Sequence, residues 1–171
     1  MTHESAHPDL VLAPLTAEDA GEVLTLQRAA FVSEALIYGS AHMPALTQTL
    51  EEVQAELRAG SGLSARIGGR MVGAIRYAEA DDLLLIGRIA IAPDMQGEGI
   101  GRALLEAAER ESTAAEAELF TGNLSEANIR LYERCGYRVS ERIPEGDEFE
   151  QVFMRKRLDN MGAASESSAS G

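Results

Sequence analysis

Apolar and polar positions divide the chain into segments of two periods. Leu10, Val11 and Leu12 form a short apolar run that ends near Pro14. Beyond Thr16, the residues Ala20, Val23, Leu24, Ala30 and Phe31 recur at helical spacing, with Gln27 interrupting the stripe. Thr16 stands where a cap belongs, and Glu18 and Asp19 place acids in the first turn. From Val32 to Pro44 the pattern breaks: Ser33, Glu34, Tyr38, Gly39, Ser40 and His42 mix with Ala35, Leu36 and Ile37. That stretch reads as a loop or short helix, and connections of this length are often binding loops. Thr49-Leu50-Glu51-Glu52 has the form of a capping box. Leu50, Val53 and Leu57 then give the buried face of a second helix, which stops at Gly60.

The next segments are extended. Leu63 to Ile67 and Met71 to Ala78 read as strands joined by the hairpin signal Gly68-Gly69, and Asp81-Asp82 leads onward. Leu83 to Ala92 is the most apolar run in the chain and lacks alternation, which predicts a strand buried on both faces. Gly87 within it suggests a bulge or a close backbone approach. Ile100, Ala103, Leu104, Ala107 and Ala108 return to helical spacing. Ala117 to Thr121 is a short strand, and Ser125 caps a helix from Glu126 to Cys135 that Gly136 ends. Tyr137 to Ile143 and Phe149 to Leu158 are two strands around Pro144-Glu145-Gly146-Asp147. The order βααβββαβαββ predicts an α/β or α+β fold with a mixed sheet.

Composition narrows the class. A length of 171 residues suits one domain with a real core, and an apolar share of 45% is ordinary for a globular protein. We expect a loose N-terminus over 1–8, one domain over 9–158, and a disordered Ser/Ala/Gly-rich tail over 159–171. No run approaches a membrane span, and the N-terminus lacks signal-peptide order, so the expected compartment is the cytoplasm. The formal charge of -13 argues against nucleic acid and anionic membranes and is compatible with a cationic substrate such as an amine. The single cysteine, Cys135, excludes an internal disulfide and reads as a packing residue. His3 and His7 fall in the expected tail, and no His/Cys/Asp/Glu cluster has metal spacing, so no metal is expected.

The chemistry concentrates at Pro93-Asp94-Met95-Gln96-Gly97-Glu98-Gly99-Ile100-Gly101-Arg102. Three glycines lie in a strand-to-helix turn, where positive φ and close approach to a ligand are both available. Free N–H groups at the helix start and the helix dipole favour an anion there. A phosphate or pyrophosphate site follows. The dinucleotide fingerprint fails because the sixth position from Gly97 is Arg102, and no P-loop Gly-Lys-Ser/Thr is present.

What remains, Gln96-x-x-Gly99-x-Gly101, resembles the Q/R-x-x-G-x-G/A signature of the GNAT superfamily of acyl-CoA-dependent N-acetyltransferases. Leu131-Tyr132-Glu133-Arg134-Cys135-Gly136-Tyr137 resembles the Leu-Tyr-Glu-Lys/Arg-x-Gly-Phe/Tyr end of that family's late helix. The element order from Leu10 to Leu158 is similar to the family's plan: a central, mostly antiparallel mixed sheet with helices on both faces.

The resemblance implies transfer of acetyl from acetyl-CoA to a primary amine of a small molecule, peptide or protein, by direct attack in a ternary complex. Ile89, Ala90 and Ile91 would offer backbone groups to the pantetheine arm and the acetyl carbonyl. Gln96, Gly97, Glu98, Gly99, Ile100, Gly101 and Arg102 would surround the pyrophosphate. Asn128 would touch the pantetheine, and Tyr132 would be the general acid. In the loop, Glu34, Tyr38 and His42 are candidates for substrate contact. Many family members carry a Glu on the strand before the glycine turn. Here Leu83 to Arg88 holds no carboxylate, so the ammonium is expected to lose its proton through water. The other reading is a catalytically silent module that senses acyl-CoA. A monomer or a homodimer fits either.

Overall fold

The computed structural model describes residues 7–159. The expectations for 1–6 and 160–171, His3 among them, lie outside the described residues. In chain order the elements are β1 (Val11–Pro14), α1 (Ala20–Tyr38), α2 (Pro44–Thr47), α3 (Leu50–Ala59), β2 (Ser61–Ile67), β3 (Arg70–Ala80), β4 (Leu83–Ile91), α4 (Ile100–Glu111), β5 (Glu116–Gly122), α5 (Glu126–Arg134), β6 (Arg138–Glu145) and β7 (Phe149–Arg157). This is the expected order with one added turn of helix, α2. The strands hydrogen-bond in the order β1-β2-β3-β4-β5-β7-β6. β4 and β5 run parallel, while β1–β2, β5–β7 and β6–β7 are antiparallel. The fold class is therefore the mixed, mostly antiparallel α/β sheet that the pattern predicts.

The chain divides into two compact units. One holds the residues up to Arg76 with Arg88–Leu105; the other holds Tyr77–Gly87 with the residues from Glu106 on.

In the first unit, β3 receives helices on both faces. A Cβ built on Gly73 would stand 2.8 Å from Ile100 Cγ2 and 3.1 Å from Leu104 Cδ1, so this face carries α4. Arg76, of opposite parity along the strand, hydrogen-bonds Gln27 of α1 at 2.9 Å and stands 3.0 Å from Glu56 of α3. Gln27, which breaks the apolar stripe of α1, is 1% exposed. Its amide donates to Ala45 O (3.0 Å) and Gln48 Oε1 (2.9 Å), and Gln48 donates to Glu56 at 2.5 Å. These contacts join Gln27, Gln48, Glu56 and Arg76 in a polar ring, in which Arg76 Nη1 meets Glu56 as an ion pair without a hydrogen bond.

Two local expectations hold and two need correction. Gly68 and Gly69 take φ of 57° and 82°, as a tight hairpin requires, and Thr49 and Glu52 form the capping box. Of the two alternatives for 32–38, loop or short helix, the loop fails, and the helix is a continuation of α1 rather than a separate short one. Helix α1 runs on to Tyr38 and is ended by Gly39 at φ 64°, because an apolar stripe that fades still leaves good helix formers in line. β4 is not buried on both faces either: Leu84 and Ile86 are buried while Leu85 and Gly87 are exposed, which is ordinary alternation.

In the second unit, Ala117, Leu119 and Thr121 of β5 and Val152 and Met154 of β7 turn one buried face inward. Tyr137 packs edge-on against Tyr132 of α5 and is 1% exposed. Lys156 holds Glu109 at 2.8 Å. On the other face, Phe120 stacks on Phe153 with centroids 5.2 Å apart, and Arg155 bonds Glu118 at 2.7 Å.

Candidate active site

The turn after β4 is built from its ends. Arg70 at the start of β3 grips Asp94 with two bonds of 2.8 and 2.7 Å, which ties the Pro93–Met95 turn of 3-10 helix to the sheet. The arginine holds the Asp94 carboxyl below the usual carboxylate range. Gly97 and Gly99 then both take φ of 80°, a conformation that side chains resist. Gly99 O accepts the first helical bond, from Ala103 N–H at 3.1 Å. Residues 96–99 are exposed, whereas Ile100 and Gly101 are buried and seat the first turn of α4. The first N–H groups of α4 have no partner within the helix and stand at its positive end, which suits an anion. Residues 96–102 thus run as one continuous stretch from the exposed glycine turn into the first turn of α4. Glu98 is the one acid in it.

β4 carries a bulge. The two-residue turn of Asp81 and Asp82, with φ of 52° and 62°, would set Val72 opposite Ile91. Instead Ala92 N–H donates to Val72 O at 2.8 Å, one residue further on. β4 therefore holds one extra residue, and Arg88, at φ 47°, is the strained one. The bulge suggested by Gly87 is real but centred on its neighbour. The alternative, a close approach at Gly87, is corrected: nothing stands within 4 Å of a Cβ built there. Ala90 is buried, and Ile89 and Ile91 are half-buried.

The other sequence-derived residues separate. Glu34 and Tyr38 lie on α1 rather than in a loop, and His42 lies between α1 and α2. Asn128 and Tyr132 belong to α5 in the second unit, where the Asn128 amide donates to Thr121 Oγ1 at 3.4 Å. Tyr132 is 7% exposed. Two acids near β4 serve structure. The Glu79 carboxylate accepts from the Ser112 hydroxyl and from Thr113 N–H, and Asp82 accepts from Ala115 N–H at 3.1 Å. Sequence reasoning missed Gly73, Arg70 and the left-handed Arg88. Of these only Gly73, a glycine inside a strand, carried a signal. Among the described residues no group of three His, Cys, Asp or Glu could hold a metal, and no helix is long and apolar enough to cross a membrane.

A strand, a glycine turn of left-handed backbone and a helix start follow one another on a mixed sheet. Residues 59–139 match the family model of the acetyltransferase (GNAT) domain. Over that stretch the chain is similar to the domain that its motifs resemble.

In solved structures the fold recurs in the PaiA N-acetyltransferase of Thermoplasma acidophilum in complex with coenzyme A, at a TM-score of 0.73 and 16% identity over 86% of this chain and 98% of that one. It recurs in YncA of Salmonella typhimurium, a putative acetyltransferase with acetyl-CoA, at 0.71 and 18% over 88% and 94%. The ribosomal-protein-S18-alanine N-acetyltransferase of Escherichia coli gives 0.69 and 19% over 87% and 94%. These likenesses speak for the fold. In sequence, the UPF0157 protein YqkA of Bacillus subtilis is 30% identical over 125 residues, 72% of this chain. The chain spans 36% of that relative's length.

Proposed function

We propose that the protein transfers acetyl from acetyl-CoA to the primary amine of a small molecule or peptide, in a ternary complex and without a metal. The observation that carries this reading is the cradle of residues 96–102, with Gly97 and Gly99 left-handed and the start of α4 behind them. The cradle fits a pyrophosphate: its donors are backbone N–H groups, and no bulky side chain intrudes at the glycines. Backbone groups of Ile89, Ala90 and Ile91 would take the pantetheine arm, with Asn128 as a further contact.

Acetyl-CoA supplies an activated thioester. The amine must arrive neutral, and the departing thiolate needs a proton, which a phenol can give. Tyr132 is assigned that donation. β4 holds no carboxylate, and Glu79 of β3 and Asp82 of the turn before β4 are engaged by Ser112 and Ala115, so the amine gives its proton to water. Glu34, Tyr38 and His42 are assigned to the acceptor side. Coenzyme A or acetyl-CoA in the structural relatives supports the choice of acyl carrier. The compartment is proposed to be the cytoplasm.

Gly101→Glu is expected to abolish acetyl-CoA binding in calorimetry while circular dichroism stays native, because the new side chain fills the cradle and its charge repels phosphate. Unchanged affinity overturns the pyrophosphate assignment. Thiol release from acetyl-CoA on addition of amines tests turnover, and binding without release would favour the silent sensor.

A further inference from the structure

The sheet of the second unit has one covered face and one open face. Lys156, opposite Ala117, reaches Glu109 near the end of α4, and Asn128 of α5 reaches Thr121, so both helices serve the face of Ala117 and Thr121. The β5–β7 register runs unbroken from Glu116↔Arg157 to Gly122↔Gln151, so alternation holds along it. Phe120 and Phe153 stand opposite each other on the other face, their rings stacked with centroids 5.2 Å apart. Phe120 is nevertheless 55% exposed. Ile143 of β6, opposite Gln151 and diagonal to Phe153, extends the apolar row and is also exposed. Gly122, two residues beyond Phe120, adds no side chain to this face.

The rim of this row is acidic. Glu141 stands opposite Phe153 and Glu145 opposite Phe149, both exposed, and Asp147 and Glu148 follow in the hairpin turn. None of these four forms an ion pair among the described residues. Toward the other end, Glu116 and Glu118 share the single guanidinium of Arg155. The open face thus joins an apolar row to an excess of negative charge. It also lies beside an opened strand edge. β4 pairs with β5 only from Leu83↔Glu116 to Leu85↔Glu118, and from Leu119 to Gly122 the described pairings of β5 are with β7 alone. Thr121, which Asn128 touches, and Phe120 are neighbours on that stretch and face opposite ways.

We propose that the acceptor is an amine on an aromatic body, that its ring stacks on Phe120, and that the acids of β6 and its turn draw in its ammonium. The inference rests on the acetyltransferase reading and names its substrate class. A further ring, offset on Phe120, covers apolar surface that water now meets and continues the existing stack. The surplus of carboxylates matches the charge with which an amine arrives from solution. Pantetheine held at Asn128 and a ring held at Phe120 would approach the free edge of β5 from its two sides. There the amine nitrogen bonds the acetyl carbon and the C–S bond breaks. The nitrogen gives one proton to water, and the thiolate takes one from Tyr132.

The test compares 2-phenylethylamine with ethylamine as acceptors in thiol release, with calorimetry of 2-phenylethylamine and of acetyl-CoA in parallel. The aromatic amine is expected to exceed ethylamine in kcat/KM by roughly tenfold to a hundredfold, the range that burial and stacking of one ring allow. Phe120→Ala truncates an exposed side chain, so it should fold, bind acetyl-CoA as before, and bring the ratio near one while weakening 2-phenylethylamine in calorimetry. Phe120→Trp should keep the ratio. The pair Glu141→Gln/Glu145→Gln should raise KM for both amines at low salt and leave the ratio unchanged. Acetyl-CoA binding with turnover of neither amine, with no preference for the aromatic one, or with a preference that survives Phe120→Ala, overturns the inference alone. Failure of acetyl-CoA to bind overturns the acetyltransferase reading beneath it.

Discussion

Tyr132 has two roles to separate: it packs a core and, in the proposed reaction, gives up a proton. Its ring meets Tyr137 edge-on at 6.4 Å, and only 7% of it is exposed. Phenylalanine preserves that packing and deletes only the hydroxyl. Tyr132→Phe is therefore expected to keep its Tm within a few degrees and its acetyl-CoA affinity unchanged, and to lower kcat by roughly 10²-fold or more, the scale of general acid catalysis. Steady-state kinetics on a reactive amine decide it: full kcat in the variant leaves Tyr132 a core aromatic and nothing else. Single residues were legible where chemistry and local geometry coincide, as at Gly97 and Gly99. Gln27 was legible only as an interruption. Its partners are Ala45 in α2, Gln48 just after α2 and Arg76 in β3, and no local pattern brings them together.

At the scale of elements, what sets the cradle is how closely α4 lies on β3. That distance is held by the missing side chain of Gly73, whose Cβ would also meet Ile91 Cδ1 at 3.2 Å. Gly73→Val must push the first turn of α4 outward or distort β4. We expect it to lower stability by about 1–3 kcal/mol, as overpacking does, and to weaken acetyl-CoA through displaced backbone donors. Gly87→Ala is the control: it meets nothing within 4 Å, its φ is not left-handed, and it should be nearly silent in both measurements. Urea titration and calorimetry on the pair check this, and equal behaviour of the two variants would show that α4 can shift without consequence. The elements themselves were largely legible, because period and caps are local signals: the Thr49 capping box, the Gly68-Gly69 hairpin and the end of α5 at Gly136 all stand as expected. The length of α1 and the exposed side of β4 were not. The first depends on helix propensity beyond the apolar stripe, and the second on what covers a strand, which its own residues do not state.

Across the whole molecule, a formal charge of -13 makes each further negative charge costly, and the tyrosines are where alkaline pH adds them. Burial pushes the Tyr137 phenol well above its ordinary 10.0, and Glu109 adds to the shift. Tyr77 is raised by burial and by its bond to the Glu111 carboxylate. Both groups hold their protons more tightly folded than unfolded. Below about pH 10 the two states bind equal numbers of protons at these sites, so the contribution to stability is fully present. Above it the unfolded chain releases protons that the folded chain retains, and stability falls as pH rises. We therefore expect Tm to decline from about pH 10 upward, with phenolate absorbance from Tyr77 and Tyr137 appearing together with loss of far-UV circular dichroism rather than ahead of it. The double variant Tyr77→Phe/Tyr137→Phe should show a shallower alkaline decline. Complete titration of all four tyrosines near pH 10 with the fold intact would mean that neither phenol is shielded by its carboxylate and its burial.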